Sequence, residues 1–249
     1  MKPQTLRAIE SYWASSLGCR VEELRAPGSL VIPHGAALSE YHGVYVVRRG
    51  PSHVVSAPRC LCDEASAFMA DREPDAVFDP QFLAELLGDA VERIIGPAWL
   101  GYVESDGFRP ADVGGVRFLG DDDDPALRRL AAACGEEDWA YSGVRIGKPP
   151  VFGRFAEGEL MAAGAPIERS QGLLDVGIVT HPAQRGKGHG RAVASAVTAH
   201  GLQRQPFMQY QTLHANAPAL TIALSLGYEH LISTLSARLK ADAEGAAGR

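Results

Sequence analysis

The residues whose types and spacing most clearly suggest chemistry are the glycines and basic residues of one short segment. It reads Arg185-Gly186-Lys187-Gly188-His189-Gly190-Arg191, between a strand-like run that ends at residue 180 and a helix-like run. Glycines leave backbone N–H groups open to a phosphate, and the N-terminus of a helix carries partial positive charge. Lys187 and Arg191 add full positive charge. The segment therefore predicts an anion-binding loop.

The spacing of the glycines separates this loop from two common phosphate-binding loops. A P-loop requires GxxxxGK(S/T) and a dinucleotide-binding turn requires GxGxxG, and the segment fits neither pattern. The order of Arg185, Gly188 and Gly190 instead resembles the acyl-CoA signature of the GNAT superfamily of N-acetyltransferases. That signature is Gln or Arg, any two residues, Gly, any one residue, and then Gly or Ala.

A second segment, about 30 residues further on, resembles the second motif of the same superfamily. That motif runs Asn-x-x-Ala and continues in a helix that ends in Leu-Gly-Phe or Leu-Gly-Tyr. Here the matching residues are Asn216, Ala219, Leu226, Gly227 and Tyr228. Asn216 is a suitable N-cap for this helix, and Gly227 is suitable for its end. The two motifs together extend the resemblance over residues 112–240.

The resemblance implies a fold and a co-substrate. The fold is α/β (α+β), with a central mixed, V-splayed sheet flanked by helices in the C-terminal half. The co-substrate is acetyl-CoA or another short acyl-CoA, with no metal. The loop would cradle the CoA pyrophosphate, the strand before it would pair with the pantetheine arm, and the asparagine would lie near that arm. The implied CoA-binding residues are Ile178, Val179, Thr180, Arg185, Gly186, Lys187, Gly188, His189, Gly190, Arg191 and Asn216.

The implied activity is transfer of an acyl group, an acetyl group in the first instance, from acyl-CoA to a primary amine. The amine attacks directly in a ternary complex. The acceptor is a small-molecule or peptide amine, and the protein is a monomer or homodimer. The alternative is a catalytically inactive CoA-binding module with a regulatory or interaction role.

The reaction requires an uncharged amine, so a carboxylate, an imidazole or a chain of waters should remove a proton. Asp175, on the strand ahead of the loop, is the first candidate, and Glu168 and Glu159 are weaker alternatives. His214 could face the substrate, whereas His181 and His189 are better explained as loop residues. A backbone N–H near Val179 would polarise the thioester carbonyl.

The position of the usual general acid differs in this chain. Many members of the superfamily have a tyrosine seven residues after the asparagine, and its hydroxyl can protonate the departing CoA thiolate. Here that position is Ala223. The leaving thiolate would then be protonated by solvent or by Ser225, or it would leave without an acid.

The order of predicted elements indicates two domains. Residues 1–110 alternate strands and helices and are predicted to form an N-terminal α/β domain, for which a degenerate GNAT-like repeat is one alternative. Residues 105–115 resemble a linker, residues 112–240 form the predicted catalytic domain, and residues 241–249 are a predicted flexible tail. The predicted helices include 63–70 and 80–92, and the predicted strands include 94–104, 151–156, 159–165, 173–180 and 206–213.

The composition excludes several classes of function. The chain has 46% hydrophobic and 22% charged residues without an apolar run near the roughly 20 residues of a membrane span. This predicts a cytoplasmic protein with no membrane partner. A net charge of −6 argues against nucleic acid as a partner. The cysteines, at positions 19, 60, 62 and 134, are expected to be buried thiols, and no histidine spacing predicts a metal site.

Overall fold

The computed structural model describes residues 1–70, 72–148 and 150–240. The predicted tail, residues 241–249, lies outside the described residues. The α-helices of the described chain are α1 (Pro3–Leu17), α2 (Val21–Arg25), α3 (Cys62–Ala70), α4 (Pro80–Leu87), α5 (Asp124–Cys134), α6 (Glu136–Ser142), α7 (His189–Leu202) and α8 (Ala217–Ser225). The strands are β1 (Gly28–Pro33), β2 (Gly43–Arg49), β3 (Ser52–Ala57), β4 (Val91–Glu104), β5 (Val116–Phe118), β6 (Phe152–Ala156), β7 (Glu159–Glu168), β8 (Leu174–Thr180), β9 (Phe207–Leu213) and β10 (Glu229–Leu239).

The described residues form two compact units, each of which combines separate stretches of the chain. The N-terminal unit contains residues 2–100, 212–215 and 230–240. The C-terminal unit contains residue 1 and residues 101–211 and 216–229. Strand β4 runs without interruption from 91 to 104 and ends just before the residues predicted as a linker, 105–115. The last strand, β10, groups with the N-terminal unit because it pairs with β2.

The N-terminal unit is a mixed sheet with an apolar core. Its strand order is β1-β3-β2-β10-β4, in which β1 and β3 are parallel and β2 is antiparallel to both β3 and β10. Helices α3 and α4 contribute Met69, Phe82 and Leu83 to a core that the strand residues Val46 and Val55 complete. Burial of these side chains, at roughly 25 cal/mol per Å² of apolar surface, is the main stabilising contribution.

The C-terminal unit is also a mixed sheet flanked by helices, with strand order β4-β9-β8-β7-β6-β5. The alternation of side chains along β8 separates its two faces. Val179 packs with Leu127 and Leu130 of α5 on one face. Thr180 lies on the opposite face, against the first turn of α7 at Gly190. The predicted α/β (α+β) fold class is confirmed.

Two local predictions differ from the structure. The helix predicted at 80–92 ends at Leu87, because Gly88 adopts a φ of 51° that stops the helix and Val91 already begins β4. The four cysteines are not buried: Cys60 is exposed and the other three are half-buried. Cys60 lies in a short turn and Cys62 at the start of α3.

The strands predicted at 151–156 and 159–165 form a hairpin, β6 and β7, around Glu157-Gly158. Both turn residues have left-handed φ angles, 52° and 81°, which is the pattern of a tight two-residue hairpin turn. The turn sets the pairing of β6 with β7, and β7 in turn pairs with β8 over seven residues.

Candidate functional site

The edge of β8 opens toward β9. In the described chain, these two parallel strands share one register pair, Asp175 with Gln209, whereas on its other edge β8 pairs with β7 from residue 174 to 180. Beyond Asp175 the two strands diverge, so the β9-facing edge of residues 176–180 lacks a strand partner. Unpaired backbone groups on a strand edge can bind an extended ligand that contains amides.

Asp175 lies at the vertex of this opening, and its carboxylate joins three segments. One oxygen, Oδ1, accepts from the N–H of Val176 at 2.8 Å and from the N–H of Gln211 on β9 at 3.2 Å. The other, Oδ2, accepts from Arg169 Nε at 3.0 Å and Nη2 at 2.6 Å. The Asp175 side chain therefore accepts a hydrogen bond from the backbone of β9 at the point where the pairing between the two strands ends.

The Asp175 carboxylate is almost fully enclosed. It is 1% exposed, and burial raises its pKa, although the positive charge of Arg169 acts in the opposite direction. A carboxylate has about four lone-pair positions. The four N–H donors occupy them, and the Gln209 side chain is a further hydrogen-bond partner. The hydroxyl of Tyr102, on β4, donates to Oε1 of Gln209, on β9, at 2.8 Å. The vertex is therefore a buried polar network. The predicted role of Asp175 as proton acceptor stays a prediction.

The glycine loop follows β8 and leads into α7. Gly188 is the N-cap of α7 with φ 83° and ψ −1°, and Gly186 has φ 79°. A Cβ atom added at either position would meet nothing within 4 Å. The first helical bond runs from the N–H of Ala192 to the carbonyl of Gly188, so the N–H groups of residues 189–191 lack intrahelical acceptors. An anion placed there would contact these N–H groups and the positive end of α7.

Gly190 has a different role, because it brings α7 close to the end of β8. A Cβ atom at this position would lie 2.7 Å from Thr180 Oγ1 and 3.5 Å from Ile222 Cδ1. The absence of a side chain therefore sets the distance between the helix N-terminus and the open edge of β8.

We expect Gly190→Ala to weaken CoA binding about tenfold, or roughly 1.4 kcal/mol. Alanine favours the helix, so the loss would come from displacement of α7 by contact with Thr180. The double variant Gly190→Ala/Thr180→Ala removes that contact and should recover most of the affinity in isothermal titration. Equal affinities of the single and double variants would show that the close approach is unimportant.

Two of the three basic residues of the loop, Arg185 and Lys187, form hydrogen bonds with neighbouring side chains. Arg185 Nη2 donates to Asp138 Oδ2 of α6 at 2.6 Å, and its Nε donates to the carbonyl of Thr180 at 3.5 Å. Lys187 Nζ donates to Gln184 Oε1 at 2.8 Å, and Arg191 is exposed in the first turn of α7. The loop therefore has positive charge on its surface, partly compensated by Asp138.

His189 and Arg154 add to this electrostatic environment. The pKa of His189 is lowered by burial and by the positive charges of Arg154 and Lys187. Its Nδ1 is buried with no hydrogen-bond partner among the described residues. Arg154, on β6, had no signal in the sequence, because only the three-dimensional fold places that strand near the loop. The cations of this environment suit a polyanionic ligand.

Asn216 caps α8, as the second motif predicts. Its Oδ1 accepts from the N–H of Ala219 at 3.2 Å. Ala223 is fully buried, and the Ser225 hydroxyl donates to the carbonyl of Ile222 at 2.8 Å. Neither residue presents a free acid, so the chain's own contacts offer no proton donor at the position usual for tyrosine.

The remaining candidates are Glu168, Glu159, His181 and His214. Glu168 is exposed at the end of β7, and exposed Glu159 is 3.6 Å from Arg129. His181 Nδ1 accepts from the N–H of Ala183 at 3.2 Å, which makes it a turn residue. His214 belongs to the N-terminal unit, where its Nε2 lies 3.1 Å from Ser233 Oγ.

Among the described residues, no group of three or more His, Cys, Asp or Glu side chains could hold a metal ion. In the same part of the chain, no helix has the length and apolar character needed to cross a membrane.

Comparison with known proteins gives matches among solved structures. Neither a protein-family model nor a curated protein matches the chain. A GNAT-family acetyltransferase from Colwellia psychrerythraea matches with 21% identity, a TM-score of 0.48, and coverage of 63% of this chain and 60% of that one. A putative GNAT-family acetyltransferase from Novosphingobium aromaticivorans matches with 24% identity, a TM-score of 0.47, and coverage of 60% and 67%. The chain is similar to GNAT-family acetyltransferases.

A third match is the ribosomal-protein-alanine N-acetyltransferase from Brucella melitensis. Its identity is 18% and its TM-score is 0.33, and the match covers 50% of this chain and 99% of that one. The chain spans only 60% of the length of the Colwellia protein. Because these TM-scores are below 0.5, the function proposed below rests on the motifs and geometry of this chain.

Proposed function

We propose that this protein is an acyl-CoA-dependent N-acyltransferase that transfers an acetyl or other short acyl group to a primary amine. The observation that carries the proposal is the open edge of β8 leading directly into the glycine loop and the N-terminus of α7. An extended amide-containing arm and a pyrophosphate are the two parts of CoA that such an arrangement would bind.

In this proposal each part of the chain has a distinct role. The N–H groups of residues 186–191 hold the pyrophosphate, with Lys187 and Arg191 adding charge. The edge of β8 at residues 178–180 pairs with the pantetheine arm, and Asn216 lies beside it. Acyl-CoA supplies the thioester that the amine attacks, and a backbone N–H near Val179 stabilises the developing oxyanion.

We further propose that Asp175 is a positioning residue that keeps β8 and β9 apart. Its four N–H donors support this role, because they leave the carboxylate no free lone pair for a substrate proton. The amine proton would then pass to water or to the acceptor's own basic group. With Ala223 buried, the thiolate would leave without an acid at that position.

The test of the proposed activity is thiol release from acetyl-CoA over a panel of amines that includes amino acids, polyamines and peptides. We expect amine-dependent release of CoA thiol, with the acylated amine identified by mass spectrometry. Saturable CoA binding with no turnover on any amine would contradict the enzymatic proposal and favour a CoA-binding module.

A further inference from the structure

Two imidazoles share one buried hydroxyl in the N-terminal unit. Ser233 of β10 is fully buried, and its Oγ lies 2.9 Å from His230 Nε2 and 3.1 Å from His214 Nε2. A serine hydroxyl has one proton, so it donates to one imidazole and accepts from the other only when that imidazole carries an Nε2–H. The three side chains therefore form a continuous hydrogen-bond chain with a defined pattern of protons.

The positions of both imidazoles are set by further contacts. The ring of His230 stacks on Trp99 of β4, with centroids 5.6 Å apart and an interplanar angle of 15°. The ring of His214 contacts that of His230 edge-on, with centroids 5.9 Å apart. The backbone N–H of His214 donates to the carbonyl of Pro97 at 2.9 Å. These contacts hold the imidazoles in one arrangement.

His230 also lines a cavity of about 420 Å³, together with Arg48, Arg49, Gly50 and Leu231. This volume is within the range that holds a small molecule, about 300–1,000 Å³. None of the five lining residues is acidic. The cavity is therefore lined by cationic and neutral groups.

The Arg49 guanidinium at the cavity shares its carboxylate partner with a second guanidinium. Arg49 Nη2 lies 2.6 Å from Glu10 Oε1, and the same carboxylate also pairs with Arg25, so one negative charge serves two guanidinium groups. The guanidinium of Arg48 lies 4.3 Å above the ring of Phe78. A planar guanidinium suits the paired oxygens of a carboxylate or phosphate.

We propose that this cavity binds a small molecule through an oxyanion group, a carboxylate or a phosphate, which Arg48 and His230 contact. The site lies within the N-terminal unit and is independent of acyl transfer. When the anion binds, the His230–Ser233–His214 hydrogen-bond chain allows an imidazole to take up a proton that balances the negative charge.

Protonation of His230 on anion binding makes the affinity of the cavity depend on pH. Burial lowers the pKa of both imidazoles, and the positive charge of Arg48 lowers each further, as does His214 for His230. The stacked Trp99 contributes no charge. A bound anion favours the protonated imidazole, so the pKa of His230 rises on binding and affinity increases as the pH falls.

The experiment titrates the full chain with inorganic phosphate and, separately, with succinate. Binding is followed by calorimetry and by NMR of the histidine side chains. We expect Arg48→Gln to weaken binding at least about tenfold, and His230→Gln to remove the increase in affinity at lower pH. Arg72→Gln is the matched control, because Arg72 also lies over a phenylalanine ring in the same unit, 3.6 Å from the centroid of Phe68.

The two probes distinguish the sources of the oxyanion: preference for phosphate indicates a phosphorylated ligand, and preference for succinate indicates a carboxylate. Far-UV circular dichroism confirms that each variant is folded, and His230→Gln provides a second variant in the cavity lining. The absence of binding by either probe to the wild-type chain would overturn the proposal. Equal affinities of wild type and Arg48→Gln would overturn it as well.

Discussion

Replacing Gly188 with aspartate is expected to weaken CoA binding at least about 100-fold, or roughly 2.7 kcal/mol. A Cβ atom at this position enters open space, and aspartate tolerates the left-handed φ of 83° better than most residues. Aspartate is also a favourable N-cap, so α7 should keep its stability. The loss would come from a negative charge placed where the proposal puts the pyrophosphate.

Two controls separate charge from shape in this experiment. Gly188→Asn has nearly the same size without the charge, so we expect it to retain most of the affinity that Gly188→Asp loses. Gly158→Asp places aspartate at a glycine with φ 81° and equally open space in the turn between β6 and β7. It should bind CoA like the wild type. If Gly188→Asp also binds like the wild type, the phosphate does not lie at this loop.

Replacing Asp175 with alanine is expected to lower both stability and CoA affinity. The change removes the acceptor of the Gln211 N–H and the partner of Arg169. Because Arg169 is 45% exposed and water can solvate its charge, we expect a loss of about 2–3 kcal/mol in unfolding free energy rather than the larger cost of a fully buried pair. Without the carboxylate, Gln211 can pair with β8, so we expect CoA affinity to fall about tenfold or more.

Asp175→Asn distinguishes a positioning role from a catalytic one. The asparagine side-chain oxygen can still accept from Gln211 and Val176, so the opening between the strands should remain. We expect CoA affinity close to that of the wild type and a kcat within about tenfold of it. A proton-accepting role instead predicts a fall in kcat of about 10²–10⁴ with unchanged CoA affinity and an altered pH profile. Chemical denaturation and steady-state kinetics on both variants measure these outcomes.

Much of the site's local structure could be predicted from the sequence. The strand before the loop, the helix after it and the N-cap at Asn216 depend on interactions over only a few residues, and the structure contains all three. The turn at Glu157-Gly158 has the same local origin, because the left-handed backbone there depends on the turn residues themselves.

The features that could not be predicted depend on contacts between distant parts of the chain. The opening at Asp175 requires β9 to diverge from β8, and the donor that Asp175 meets, Gln211, is 36 residues away. The inclusion of β10 in the N-terminal unit depends on its pairing with β2, more than 180 residues earlier. Neither relationship leaves a periodic or compositional signal in the sequence.

The exposed Cys60 shows a different limit. Two apolar residues in alternation resemble a buried strand, but here Pro58 precedes a short turn and α3 begins at Cys62. A short segment of this kind has too few residues for its period to distinguish a strand from the start of a helix.

The most direct measurement of the central claim is titration of acetyl-CoA into the ¹⁵N-labelled chain, followed by backbone amide NMR. The proposed function predicts saturable binding in a 1:1 ratio. It also predicts the largest shifts at the N–H groups of residues 186–191 and at the edge of β8, residues 178–180. Saturable binding with the largest shifts elsewhere, or no binding at all, would contradict it.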